Sequence, residues 1–452
     1  MKRKLVYLLL VVMGLLLIIA RGISAAPASD YRWLDVANQQ YSSYYMSNYT
    51  YEQAQVTLSY PVRDLVFNGT LTATNLKPNF AYQVKLIGEP GTEANERIGL
   101  VGRWWQEEWN GTTWVNGQNL NDKGDGSSPN PNDEAYFDRR DMPDPTSPTG
   151  LKYKFTGYLV LDYFITDENG EVELAFEADS SYHVLWKTTQ RTWTSSDGPV
   201  KSTTFDADDA GAYEDSGGDD FPVQIESIYG EWERLPVGGV FLAPGDYQAE
   251  FVLTEESFHG SGGTYAGNWA QAISQDVAFT VAERVSEILH LSPGWNLMAL
   301  PIFPESSFTA QSLLDDINVG QGGSCSEVDR WLNGGWDAHV DGLLINDFAI
   351  TMGEGYFMKC STHSDWTVDG MTPSEELMVT LLVGWNLISV PYPPQSYDAQ
   401  SLLDKFEAEG SICTEVDRWL NGGWDAHIDG LSFNNFSIDP DKGYFVRCIS
   451  IE

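Results

Sequence analysis

Positive charge is what this sequence has least of. Its 452 residues carry 26 Lys and Arg against 65 Asp and Glu, a formal net charge of -39. A field of that sign repels the phosphates of nucleic acids and the headgroups of anionic membranes, so neither is expected as a partner. Beyond the first two dozen residues there is no apolar run long enough to cross a bilayer. Signatures of chemistry are missing as well. There is no His-Glu-x-x-His, no Gly-x-Ser-x-Gly and no phosphate-cradling Gly-rich loop, and "HGSGG" at His259–Gly263 lacks the first Gly of a nucleophile elbow. Apolar residues are not scarce: 42% hydrophobic and 13% aromatic content argues against disorder and for a packed core.

The chain opens with "MKRKLVYLLLVVMGLLLIIARGISAAPAS", in which Lys2, Arg3 and Lys4 precede an apolar run and small residues follow. This layout is that of a secretory signal peptide over residues 1–26, cleaved near Ala26 or Ala28, with an uncleaved anchor as the weaker reading. Removing Lys2, Arg3, Lys4 and Arg21 with it makes the charge four units more negative. An exported chain found outside the cell or at its surface is expected.

From 30 to 285 the pattern is short alternating runs of Val, Thr, Tyr and Phe between turn residues, which predicts a β-sandwich, immunoglobulin-like or jelly-roll-like. "YLVLDYFITDENGEVELAFEA" places two strand-like runs around Asn169-Gly170, a hairpin signal, and "LTATNLKPNFAYQVKLIG" does the same around Lys-Pro-Asn. Two polar insertions, near 110–150 and 195–221, read as long loops, which are usually functional or mobile.

After 285 a repeat begins, with one module over 286–373 and a second over 374–452. The block "DRWLNGGWDAHVDGL" at Asp329–Leu343 returns at Asp417–Leu431 with only Val340 exchanged for Ile428. All four cysteines lie in the repeats. Four allow three connectivities, and identical spacing in both copies favours Cys325 with Cys360 and Cys413 with Cys448. In an exported chain these are expected as bridges rather than reactive thiols. The copies also share "GWNL": Gly294, Trp295, Asn296, Leu297 and Pro301 in one, Gly384, Trp385, Asn386, Leu387 and Pro391 in the other, each with a closing "GYF". In these residues the repeat resembles the tandem GWNL-type modules near the C-termini of secreted bacterial and archaeal surface proteins. The resemblance covers about a third of the chain and implies small β-rich extracellular modules in series. It brings no catalytic residue. The cysteines and the long identical block depart from its usual pattern.

Three groups are candidate sites. Asp337, His339 and Asp341 alternate, as do Asp425, His427 and Asp429, so on strands each trio shares a face and could hold a divalent cation. The bland alternative is turn and core scaffold copied by duplication. Trp104, Trp105, Trp109 and Trp114 cluster beside Glu, Asn and Gln, as a sugar-stacking platform would, or as anchors of strand and loop. Asp206, Asp208 and Asp209 open an acidic loop suited to calcium, the one cofactor the sequence suggests, although Ala210 and Gly217 spoil an EF-hand register. Together these predict a non-enzymatic surface or matrix protein with a binding or structural role. Its partner would be a surface protein or a polysaccharide. A carbohydrate-binding protein, calcium-assisted, is the first alternative and a secreted hydrolase the second.

Overall fold

The computed structural model describes residues 31–33, 49–78, 81–119, 131–167, 169–178, 181–186, 223–228, 242–255, 258–260 and 271–451, without 376 and 393–395. The N-terminal segment read as a signal peptide and the acidic loop with Asp206, Asp208 and Asp209 lie outside these residues. The chain is mostly β and divides into two units at Val281/Ala282. No helix among the described residues is long and apolar enough to cross a membrane.

The first unit is a sandwich. The strands of its two packed sheets are β1 (Gln55–Ser59), β2 (Arg63–Asp64), β3 (Asn68–Thr74), β4 (Ala81–Gly88), β5 (Arg103–Trp109), β6 (Trp114–Asn119), β7 (Tyr153–Ile165), β8 (Val172–Glu177), β9 (Gly245–Glu255) and β10 (Gln271–Val281). A seven-stranded sheet in the order β2-β10-β9-β4-β7-β5-β6 faces a three-stranded sheet β1-β3-β8. The shared core follows the period-two alternation: Leu71 and Phe176 from the small sheet meet Val84, Leu159, Phe251 and Phe279 from the large one. The strands fall where alternation predicts them, but two expected hairpins do not form. β3 and β4, and likewise β7 and β8, lie in different sheets, so their connections are corners that carry the chain across the core. At the second corner Asp167 accepts hydrogen bonds from the backbone of Asn169 and Glu171. Gly170, at φ 77, sits against the Leu76 carbonyl, where a Cβ would lie 2.0 Å from the oxygen.

Helix α1 (Glu96–Val101) covers part of the large sheet. It can do so because Gly99 and Gly157 touch: a Cβ on Gly157 would stand 2.5 Å from the Gly99 nitrogen. The insertion read as a loop near 110–150 contains β6 and helix α2 (Pro131–Arg139). Tyr136 of α2 stacks on Trp104 at 3.7 Å between ring centroids, and this burial holds a segment of otherwise low hydropathy.

The second unit contains both modules. The first has β11 (Val285–Leu291), β12 (Gly294–Met298), β13 (Phe303–Pro304), helix α3 (Ala310–Asp315), β14 (Cys325–Leu332), β15 (Gly335–Val340), β16 (Tyr356–Cys360) and β17 (Ser364–Met371). The second has β18 (Gly384–Ser389), α4 (Ala399–Ala408), β19 (Ile412–Leu420), β20 (Gly423–Ile428) and β21 (Gly443–Ser450). Each builds one four-stranded sheet, β12-β16-β14-β15 or β18-β21-β19-β20. Cys325 pairs with Cys360 and Cys413 with Cys448, as the repeated spacing predicts. Both helices start with a capping box, Thr309 with Ser312 and Asp398 with Ser401.

One face of each sheet packs on its own helix, Val328 and Met358 against Leu313 and Leu314, or Val416 and Val446 against Leu402 and Leu403. The other faces meet each other. Leu297, Phe357, Leu387 and Phe445 form a joint core flanked by Trp295, Trp331 and Trp419. The contacts are reciprocal: Trp331 Nε1 donates to the Trp385 carbonyl at 2.9 Å, and Trp419 Nε1 to the Trp295 carbonyl at 3.0 Å. Gly355 and Gly443 bring the two backbones together at the centre, where a Cβ on either would lie 3.0 Å from the other's Cα. The modules thus pair like the halves of a twofold dimer, each presenting the same patch to the other.

Candidate functional site

The four tryptophans of the β5–β6 region do not form one platform. Alternation along β5 sends Trp104 to the face with Phe155, and Trp105 and Trp109 to the other. Trp104 is wholly buried between Tyr136 and Phe155 and is unavailable to a ligand, a correction to the platform reading. Trp105 lies over Gly117, whose missing Cβ makes room for the indole. Only Trp109 and Trp114 remain, a half-buried cross-strand pair with centroids 5.3 Å apart, the Trp109 indole donating to Thr146 Oγ1 at 3.2 Å.

What Trp104 does is position a cleft. Tyr136, stacked on it, forms part of a cavity of about 460 Å³ with Tyr153 and Phe155 as further aromatic lining. Its rim is charged in pairs. Lys154 Nζ lies 3.0 Å from Glu89 Oε1, and Arg140 bonds Glu96, which also accepts from the Tyr136 hydroxyl at 2.8 Å. Burial, reinforced by the Glu96 carboxylate, pushes the Tyr136 hydroxyl up to about 12, so it stays a neutral donor at any physiological pH. Apolar ring faces beside paired donors and acceptors suit a neutral polyhydroxylated ligand. From sequence, only Trp104 pointed here; Glu96 and Arg140 are 44 residues apart and carry no local signal.

The duplicated block is built differently from a cation site. Asp337, His339 and Asp341 do share a face, but each is already engaged. Asp337 is paired with Arg330 at 2.8 Å. His339 is fully buried, with Nδ1 3.0 Å from the Ile345 carbonyl and Nε2 2.9 Å from Gln311 Oε1. Asp341 accepts from Gln311 Nε2 at 2.8 Å. The second copy repeats this: Asp425 with Arg418, His427 with the Phe433 carbonyl and Gln400, Asp429 with Gln400. Both ring nitrogens of each histidine are used, so neither trio can gather a metal ion without dismantling its strand-to-helix clasp. The block's remaining residues, Trp331 and Trp336 with Trp419 and Trp424, build the seam between modules. Trp336 and Trp424 each contact both Phe357 and Phe445.

Two carboxyls lie on the strands that form the seam, Asp329 opposite Phe357 and Asp417 opposite Phe445. Asp329 and Asp417 carry a buried Oδ1 with no hydrogen-bond partner among the described residues. Burial first, then the neighbouring Glu327 or Glu415, pushes each up to about 6. A carboxyl raised in the folded state stabilises the fold when protonated. Its contribution is complete below the ordinary value of 3.8 and is lost as pH rises through about 6. Both groups are partly solvated, which reduces the effect to ~1 kcal/mol each. The double variant Asp329→Asn/Asp417→Asn should therefore gain stability over the native chain at pH 7.5, by roughly 5 °C in melting temperature. At pH 4 the advantage should vanish, and an equal gain at both pH values would contradict this assignment.

Comparison with protein-family models and with curated proteins gives no match to the chain.

Proposed function

We propose that this is an exported, non-enzymatic surface protein whose first unit binds a carbohydrate and whose paired modules form a rigid block that docks or spaces it. The observation that carries the reading is the cleft at Tyr136, Tyr153 and Phe155, rimmed by the Glu89–Lys154 and Glu96–Arg140 pairs. Cavities of a few hundred Å³ with aromatic lining and a few fixed polar groups are the usual form of small-ligand sites. The acidic composition, the signal-like N-terminus and the resemblance to GWNL-type modules support an extracellular setting. The reciprocal seam supports a mechanical role for the second unit, because its aromatics face one another.

The test is a polysaccharide and glycan-array screen of the full chain, repeated with Tyr153→Ala. Tyr153 is partly exposed at the cleft, and its loss should weaken binding roughly tenfold, the worth of one stacking contact. Melting behaviour should change little. Native-like affinity in the variant would move the site elsewhere, and no glycan bound by the full chain would leave a protein partner as the reading.

A further inference from the structure

Of the six histidines in the chain, two converge on one carboxylate oxygen. β11 and β17 are antiparallel neighbours with His290 opposite Asp365. Leu289, Leu291, Ser364 and Trp366 turn inward and are buried, so alternation places His290 and Asp365 on the outer face. His363 precedes β17 by one residue and stands two before Asp365, on the same side. His290 Nδ1 lies 2.7 Å from Asp365 Oδ1 and His363 Nε2 3.1 Å from the same oxygen. All three donor atoms fall within 4.8 Å of one another.

We propose that His290, His363 and Asp365 bind a divalent transition-metal ion, zinc in the first instance, as a three-ligand site on the surface of the first module. Metal–ligand bonds of about 2.0–2.2 Å place neighbouring donor atoms roughly 3–3.5 Å apart; two edges of this triangle are 2.7 and 3.1 Å and the third is no longer than 4.8 Å, so side-chain shifts of about an ångström close it. The side chains are 69%, 61% and 54% exposed, so they can move that far without repacking anything. Two imidazoles and one carboxylate form a nitrogen and oxygen set that suits zinc, copper, nickel or cobalt and does not suit calcium, which takes oxygen ligands. The segment is braced from behind. Ser361 N donates to the Ser324 carbonyl at 2.8 Å, and the Cys325–Cys360 bridge anchors the strand end just ahead of His363.

The site belongs to the first module alone. Thr380 and Ile451 stand in the second copy where His290 and His363 stand in the first. Three protein ligands leave the ion's remaining positions open to water or to a donor from another molecule.

The test is calorimetric titration of the chelator-stripped full chain with zinc chloride, with calcium chloride as the control metal. Binding in the micromolar range is expected for zinc. Each of His290→Ala, His363→Ala and Asp365→Asn should weaken it at least ~10-fold, with unchanged melting of the metal-free chain. The cobalt-loaded chain gives an independent readout, since its visible absorption should disappear in the double variant His290→Ala/His363→Ala. Zinc affinity retained in that double variant would assign the metal to other residues and overturn the proposal. So would native affinity for zinc no tighter than for calcium.

Discussion

Replacing Phe445 with alanine should lower the melting temperature of the second unit by roughly 10 °C. The ring sits at the centre of the seam, with Trp331, Trp336, Trp385 and Trp424 around it at 5.3–6.1 Å between centroids. Truncating a buried phenylalanine typically costs about 3–5 kcal/mol through lost transfer energy and the cavity left behind. In a unit of this size each kcal/mol moves the midpoint by roughly 2–4 °C. The four tryptophans cannot collapse into the gap freely, because Trp331 is tied by its indole to the Trp385 carbonyl. Differential scanning calorimetry of the variant checks this. The related change Phe357→Ala should behave alike, and a shift under 2 °C for either would mean that the modules do not depend on one another.

Removing the second bridge, as Cys413→Ala/Cys448→Ala, should cost about 3–4 kcal/mol, the loop-closure entropy returned to the unfolded chain by a separation of 35 residues. The same change at Cys325 and Cys360 should be tolerated better. The first module has a further three-stranded sheet, β11-β17-β13, which places Trp366 and Val368 in its core. Among the described residues the second module's core has no such sheet, and its helix side is lined by an open groove of about 510 Å³ beside Leu402 and Phe406. Chemical denaturation of the two double variants under non-reducing conditions compares them directly. Equal losses would remove the asymmetry.

Much of this was legible in the sequence, and what was not has a common cause. The disulfides could be read because their spacing is repeated within one chain. Strands could be read because alternation is local. Their partners could not: β7 and β8 look like a hairpin around Asn169-Gly170, yet an apolar face and a turn serve equally well at a corner between sheets. Trp104 looked like a ligand platform because its partner, Tyr136, lies in a polar stretch with no apolar run to betray a helix. Asp337, His339 and Asp341 share a face as expected, but the residues that occupy them come from other elements brought in by tertiary packing, Gln311 from α3 and Arg330 from the neighbouring strand β14. The triad of His290, His363 and Asp365 spans 75 residues and exists only through the register of β11 on β17.

The repeated block supplies Trp331 and Trp336, and in the second copy Trp419 and Trp424, to the seam, and this has a consequence for how the chain behaves in company. Each module carries a surface complementary to itself, so a module freed from its neighbour would find its match in another copy. Joining two on one chain replaces that concentration-dependent encounter with an intramolecular one at a high effective concentration set by the short link between β17 and β18. The tandem is in effect a tethered dimer. At its centre Gly355 meets its own counterpart Gly443, and elsewhere each contact is made twice, Trp331 on Trp385 and Trp419 on Trp295, so a change in one copy alters only one of each such pair of contacts.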